Sequence, residues 1–217
     1  MSQPGLMLTA CLEREDPRDV FISHKAKSLR ALPQGATLGT ASLRRQAVAK
    51  RLRPDLNVVP LRGNVETRLR KLDEGEADAT LLALAGLKRL GLTQHATAIM
   101  SVDEFLPAVG QGAIGIEARA DDARTREALA RINHAPTFTA LACERAFLAE
   151  LDGSCKTPIA GHAVIANDSM QFRGLIARPD GKAAHDISGT GHTKDAAAIG
   201  AEAARELKRI AGPHFFD

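Results

Sequence analysis

No tryptophan and no tyrosine occur among the 217 residues, and aromatic side chains make up only 3%. Stacking platforms for single-stranded nucleic acid are therefore nearly missing, and a formal charge of +3 does not announce a polyanionic template. The three cysteines include no CxxC pair and are odd in number, which argues against both a disulfide framework and a structural zinc site. The seven histidines show no metal-ligand spacing, so no metal is expected. Apolar runs fall far short of a membrane span, and Met1 to Ala10 lacks the basic and strongly apolar regions of a signal peptide. The chain reads as cytoplasmic, with no membrane partner. No GxxxxGK[ST] occurs, so it is not a nucleotide P-loop protein.

What is present is ordinary in amount, 44% hydrophobic and 25% charged, and enough for one to two domains with real cores. Leu6 to Leu12 reads as a strand running into a charged turn, Glu13 to Asp19, with Cys11 as a core residue. From Ala36 short apolar runs alternate with helical ones. Residues 36–39 read as strand, 42–53 as helix, 56–61 as strand, 64–72 as helix and 77–84 as strand. This βαβαβ order predicts an α/β fold with a mostly parallel sheet, whose ligands gather at strand carboxyl ends and helix amino ends.

The informative residues fall at those junctions. In Gly39-Thr40-Ala41-Ser42-Leu43-Arg44-Arg45, Thr40 or Ser42 can cap the helix, and free N–H groups, the helix dipole and two guanidinium groups together favour an anion. Leu61-Arg62-Gly63-Asn64-Val65 repeats the chemistry, with Asn64 as cap and Arg62 at the helix mouth, and Arg68 can reach back to the same opening. Arg89 follows the next strand. Residues 40–90 hold eleven Lys plus Arg against six Asp plus Glu, and arginine suits planar carboxylates or phosphates. The expected ligand is polyanionic.

A helix from Ala140 to Leu151 ends at Gly153 and leaves Cys155 on a loop, where Lys156 favours the reactive thiolate. Cys143 reads as core. Glu144 suits either an interdomain partner such as an arginine or a partly exposed edge. His185 and His192 read as solvated.

Glu13-Arg14-Glu15-Asp16-Pro17-Arg18-Asp19, Gly39 to Arg45, Leu61 to Val65, Leu84 to Leu90, Leu106-Pro107-Ala108-Val109-Gly110-Gln111-Gly112-Ala113 and Gly153-Ser154-Cys155 occur in one order, and with them the chain resembles the porphobilinogen deaminase (hydroxymethylbilane synthase) family. The resemblance implies a transferase of tetrapyrrole and heme biosynthesis. Such an enzyme condenses four porphobilinogens head to tail, with ammonia release, on a dipyrromethane cofactor thioether-linked to a cysteine that matches Cys155. It also implies cofactor contacts from Thr40, Ser42, Arg44, Arg45, Arg62, Asn64 and Gln111, substrate contacts from Arg62, Arg68 and Arg89, and a monomer. Each pyrrole carries an acetate and a propionate, the polyanion that the arginine junctions call for.

The family's pyrrole-activating aspartate has no counterpart here. The chain is expected to lack the N-terminal part of a first domain and to be inactive alone. The resemblance further implies a fold with a periplasmic-binding-protein-like parallel or mixed sheet and a small α+β C-terminal domain with an antiparallel sheet. Residues 1–18 and 106–134 are then a domain 1 remnant and hinge, 19–105 domain 2, and 135–217 the cofactor-attachment domain. Gly110 and Gly112 suit either the hinge or a simple turn. In the last domain, residues 159–166, 170–177 and 184–188 read as antiparallel strands and about 194–210 as a closing helix. A different class remains open, a non-catalytic periplasmic-binding-like module sensing a carboxylated metabolite. The arginines would serve it equally well, and the reactive Cys155 would not.

Overall fold

The computed structural model describes residues 4–153, 157–213 and 215, so Cys155 lies outside the described residues. The chain opens on β1 (Leu6–Cys11) and crosses into β2 (Asp19–Ser23). Then come β3 (Thr37–Gly39), α1 (Leu43–Leu52), β4 (Asn57–Val59), α2 (Val65–Asp73), β5 (Ala79–Ala83), α3 (Leu84–Leu90) and the short β6 (Ala98–Ile99). A second crossing leads to β7 (Gly115–Arg119), α4 (Ala123–Ala130) and α5 (Ala135–Glu150). Strands β8 (Ile159–Ala166), β9 (Ser169–Ala177) and β10 (Ala184–His192) follow, and α6 (Ala196–Ala211) closes the chain.

The five-stranded sheet has the order β4-β3-β5-β2-β6. The expected βαβαβ run supplies its parallel part, with β3 between β4 and β5. The sheet as a whole is mixed, because β2 lies antiparallel to both β5 and β6. This strand is what the sequence reading missed. All five of its residues are buried, and its apolar Val20, Phe21 and Ile22 run continuously, as in a central strand, rather than alternating.

The other expected antiparallel strands form a three-stranded sheet of order β10-β9-β8. Its first hairpin closes on Asn167 and Asp168, with Asn167 in the left-handed region at φ 55°. Helices α5 and α6 cover one face, packed so closely that a Cβ on Gly200 would overlap the carbonyl oxygen of Cys143. Strand β1 pairs with β7 across more than a hundred residues as a separate antiparallel ribbon.

Three apolar clusters result. One lies between α1 and the five-stranded sheet, centred on Phe21, Leu38, Leu81 and Phe105, and it takes in Ala160 and Leu175 from the three-stranded sheet. The opposite face of the larger sheet packs Val20, Ile22 and Leu82 on α2 and α3. Phe147, Met170, Phe172 and Leu207 centre the third cluster under α5 and α6, with the Phe147 and Phe172 rings 4.8 Å apart. His185, expected in solvent, is half-buried against the Phe215 ring at 5.2 Å.

Candidate functional site

Helix α1 starts where β3 ends, and Ser42 caps it by accepting the Arg45 N–H at 3.3 Å. The first turn then directs Arg44 and Arg45 inward, 5% and 8% exposed. Both meet Asp19, the first residue of β2, which is fully buried. Arg44 makes a two-pronged pair, Nη1 to Oδ2 and Nη2 to Oδ1, while Arg45 donates from Nε to Oδ1 at 2.9 Å and its Nη2 is ion-paired with the same oxygen at 2.8 Å. Arg44 also donates to the Leu106 carbonyl at 3.2 Å and to Gln111 Oε1 at 3.0 Å, and it lies over the Phe105 ring. Its Nε is buried, with no hydrogen-bond partner among the described residues.

The electrostatics are unbalanced in favour of an anion. Burial alone would raise the Asp19 carboxyl, but the two guanidinium groups outweigh it and hold the group below its usual range. Burial pushes the Arg45 guanidinium down, and the charges of Arg44 and Arg68 push the same way against Asp19. Two guanidinium groups thus share one carboxylate, with the charge of Arg68 felt at Arg45 as well.

Ser42, Arg44, Arg45 and Arg68 line one wall of a cavity of about 350 Å³. Ala108 and Val109 from the second crossing, Leu148 from α5, and Thr157 and Ile159 at the start of β8 line the other. Arg68 is directed there by α2, whose cap is Asn64, accepting from the Thr67 N–H at 2.8 Å, and its Nε donates to the Gly63 carbonyl. Thr157 stands two residues from Cys155, the position predicted to carry a covalent group.

The remaining predicted residues fall elsewhere. Thr40 is buried, its hydroxyl accepting the Ser42 N–H at 3.2 Å, so it shapes the junction without lining the cavity. Gln111 lies behind Arg44, donating to the Pro17 carbonyl at 2.6 Å. Arg62, Asn64 and Arg89 are exposed and do not line this cavity. Asp19 is the residue that sequence reasoning missed. Its place at the end of a hydrophilic run gave it the look of a surface turn, and the only available signal was the apolar Val20 to Ile22 that follows.

A second buried carboxylate ties the crossings to the three-stranded sheet. Glu144 on α5 is fully buried and takes a two-pronged bond from Arg14 at 2.5 and 3.2 Å. It also accepts the Gly110 N–H at 2.6 Å and the Ala163 N–H at 2.8 Å. Of the two readings left open for Glu144, the arginine partner is the one observed. Gly110 and Gly112 both take positive φ, and Gly112 packs directly on the Glu15 backbone, where a Cβ would not fit.

Cys11 and Cys143 are buried core thiols, as expected. Among the described residues no cluster of His, Cys, Asp or Glu could hold a metal, and no helix is long and apolar enough to cross a membrane.

The family model described as porphobilinogen deaminase, dipyromethane cofactor binding domain, matches residues 1–127, and that of the porphobilinogen deaminase C-terminal domain matches residues 138–209. The porphobilinogen deaminases of Nitrobacter hamburgensis and Nitrobacter winogradskyi are 60% and 61% identical over 209 residues, 96% of this chain and 66% of each relative. A methionine-bound nutrient binding protein from Burkholderia cenocepacia overlays 58% of this chain on 61% of its own, with 18% identity and a TM-score of 0.41, too low to carry an argument. With two family models together covering most of its length, the chain belongs to the porphobilinogen deaminase family.

Proposed function

We propose that the chain takes part in hydroxymethylbilane synthesis, the head-to-tail condensation of four porphobilinogens with one ammonia released at each addition. The observation that carries this reading is the cavity in which Ser42, Arg44, Arg45 and Arg68 face Thr157. Two guanidinium groups sharing one internal carboxylate, with Arg68 as a third cation on the same cavity, match a ligand bearing several carboxylates. The residues present therefore fit a dipyrromethane group linked to Cys155. Arg45, Arg68 and Ser42 would hold its carboxylates, with Arg44 behind them, Gln111 behind Arg44, and Thr40 shaping the junction. When bound, the group supplies the primer on which the bilane grows.

Arg62, Asn64 and Arg89 stand outside the cavity, and their exposure suits contacts with the incoming porphobilinogen or the lengthening chain. The crossings at residues 12–18 and 106–114 divide the molecule into the β1–β7 ribbon, the five-stranded sheet and the three-stranded sheet. In this reading the last of these is the attachment domain.

The relatives are longer than this chain, so the test is run on the chain alone and with the part of a relative that this chain does not span added. Porphobilinogen consumption is measured against ammonia release. The reading predicts one ammonia per porphobilinogen consumed in the supplemented mixture, and none with Cys155→Ala. Binding of porphobilinogen without any ammonia in either mixture would favour the carboxylate-sensing alternative.

A further inference from the structure

We infer that Asp19 is an internal counter-anion for the arginine cavity: it holds Arg44 and Arg45 in place before a ligand arrives, and by occupying them it lowers the affinity for carboxylates. The inference rests on the proposed reading of the cavity as a polycarboxylate site.

The arrangement supports it in three ways. First, Asp19 is fully buried and its observed side-chain partners are the two arginines, so its charge is spent on the site alone. Second, the two arginines are held unequally. Arg44 spends Nη1 and Nη2 on Asp19, Leu106 and Gln111, and so ties α1 to β2 and to the second crossing. Arg45 spends Nε and Nη2 on Asp19, and among the described residues nothing hydrogen-bonds to its Nη1. Third, α1 and β2 come from chain segments more than twenty residues apart, and without the carboxylate two buried like charges would repel each other where they meet.

A carboxylate entering the cavity thus competes with Asp19 for Arg45. That competition suits a ligand which must be gripped and then advanced, because a cavity with three unopposed cations would bind a polycarboxylate too tightly to release it. Asp19 is on this account a positioning residue that sets affinity, and it is not a catalytic residue.

The test uses citrate as a small polycarboxylate probe with the 217-residue chain, reading thermal midpoint and calorimetric affinity. Asp19→Asn is expected to melt lower than wild type without citrate. It should also bind citrate about tenfold more tightly, in line with one unopposed charge at contact range in a partly screened site, and so gain more degrees on saturation than wild type does. Asp19→Glu, which keeps the charge, should restore wild-type affinity. If Asp19→Asn does not fold, Asp19→Ser, which also removes the charge, takes its place with the same expectation. Citrate binding by the uncharged variant no tighter than by wild type overturns the inference and leaves the cavity reading intact. A wild-type chain that does not respond to citrate overturns both.

Discussion

Three side chains, two of them fully buried, carry most of what can be tested one residue at a time. His162 on β8 is pushed down to about 4, chiefly by burial and further by the charges of Arg14 and Arg173. A histidine with a lowered folded pKa contributes stability that is full above its unfolded value near 6.5 and is lost as pH falls toward 4. Chemical denaturation should therefore show about 1–2 kcal/mol less stability at pH 5 than at pH 7, with allowance for partial exposure, and His162→Gln should flatten that difference. An unchanged slope in the variant would contradict the assignment. Cys143 is pushed up to about 12 by burial and by Glu144, and burial raises Cys11 against the opposing charge of Arg145. Alkylation of the folded chain at pH 8 should accordingly leave both unmodified, and mapped label on either would show that its core opens. At this scale the sequence was informative about Cys11, Cys143, Ser42 and Asn64, whose roles follow from local pattern. It was silent about Asp19 and about which arginine would meet Glu144, because burial and pairing between distant residues leave no periodic trace.

Among the elements, α1 matters most, since its first turn aims two arginines. Ser42→Ala removes the hydroxyl that accepts the Arg45 N–H and should cost about 1 kcal/mol in urea unfolding. It should also weaken citrate binding, because the frayed turn no longer holds Arg44 and Arg45. Unchanged binding would mean that Asp19 alone fixes them. The α5–α6 contact is more demanding. A Cβ at Gly200 has no space beside the Cys143 backbone, so Gly200→Ala should cost on the order of 2–4 kcal/mol, against the usual gain of alanine in a helix. A neutral result would show that the two helices can separate at little cost.

Element order was largely readable, because α1, α2 and the strands around them have clean periodicities and capping residues at their ends. Strand β2 was not, since a fully buried five-residue run directly after charged residues resembles the end of a turn. The final strand also runs on to His192, past the expected Ser188, where Gly189 and Gly191 let it lie against Ile199 of α6.

At the scale of the whole molecule, the two sheets and the ribbon meet at buried charges. Arg14, Glu144 and the Gly110 N–H join the crossings to α5, and Asp19, Arg44 and Gln111 join the second crossing to α1 and β2. Removing one partner leaves the other buried and unpaired, so Glu144→Ala should cost about 3–5 kcal/mol in equilibrium unfolding. A loss under about 1 kcal/mol would show that the junction is solvated. The resemblance of scattered motifs pointed to the family. Pattern alone did not show how these segments meet, because the contacts joining residues 14, 19, 44, 111 and 144 are all long-range.

The central claim is that this cavity holds a dipyrromethane on Cys155, and the intact mass of the denatured, purified chain tests it most directly when followed by mapping of any adduct. The account predicts, in chain supplied with hydroxymethylbilane, an adduct of linked pyrrole units, four as first captured with loss of water and two once a bilane has been released, located on Cys155 and lost in Cys155→Ala. A bare mass after that supply, or an adduct mapped to another residue, would contradict it.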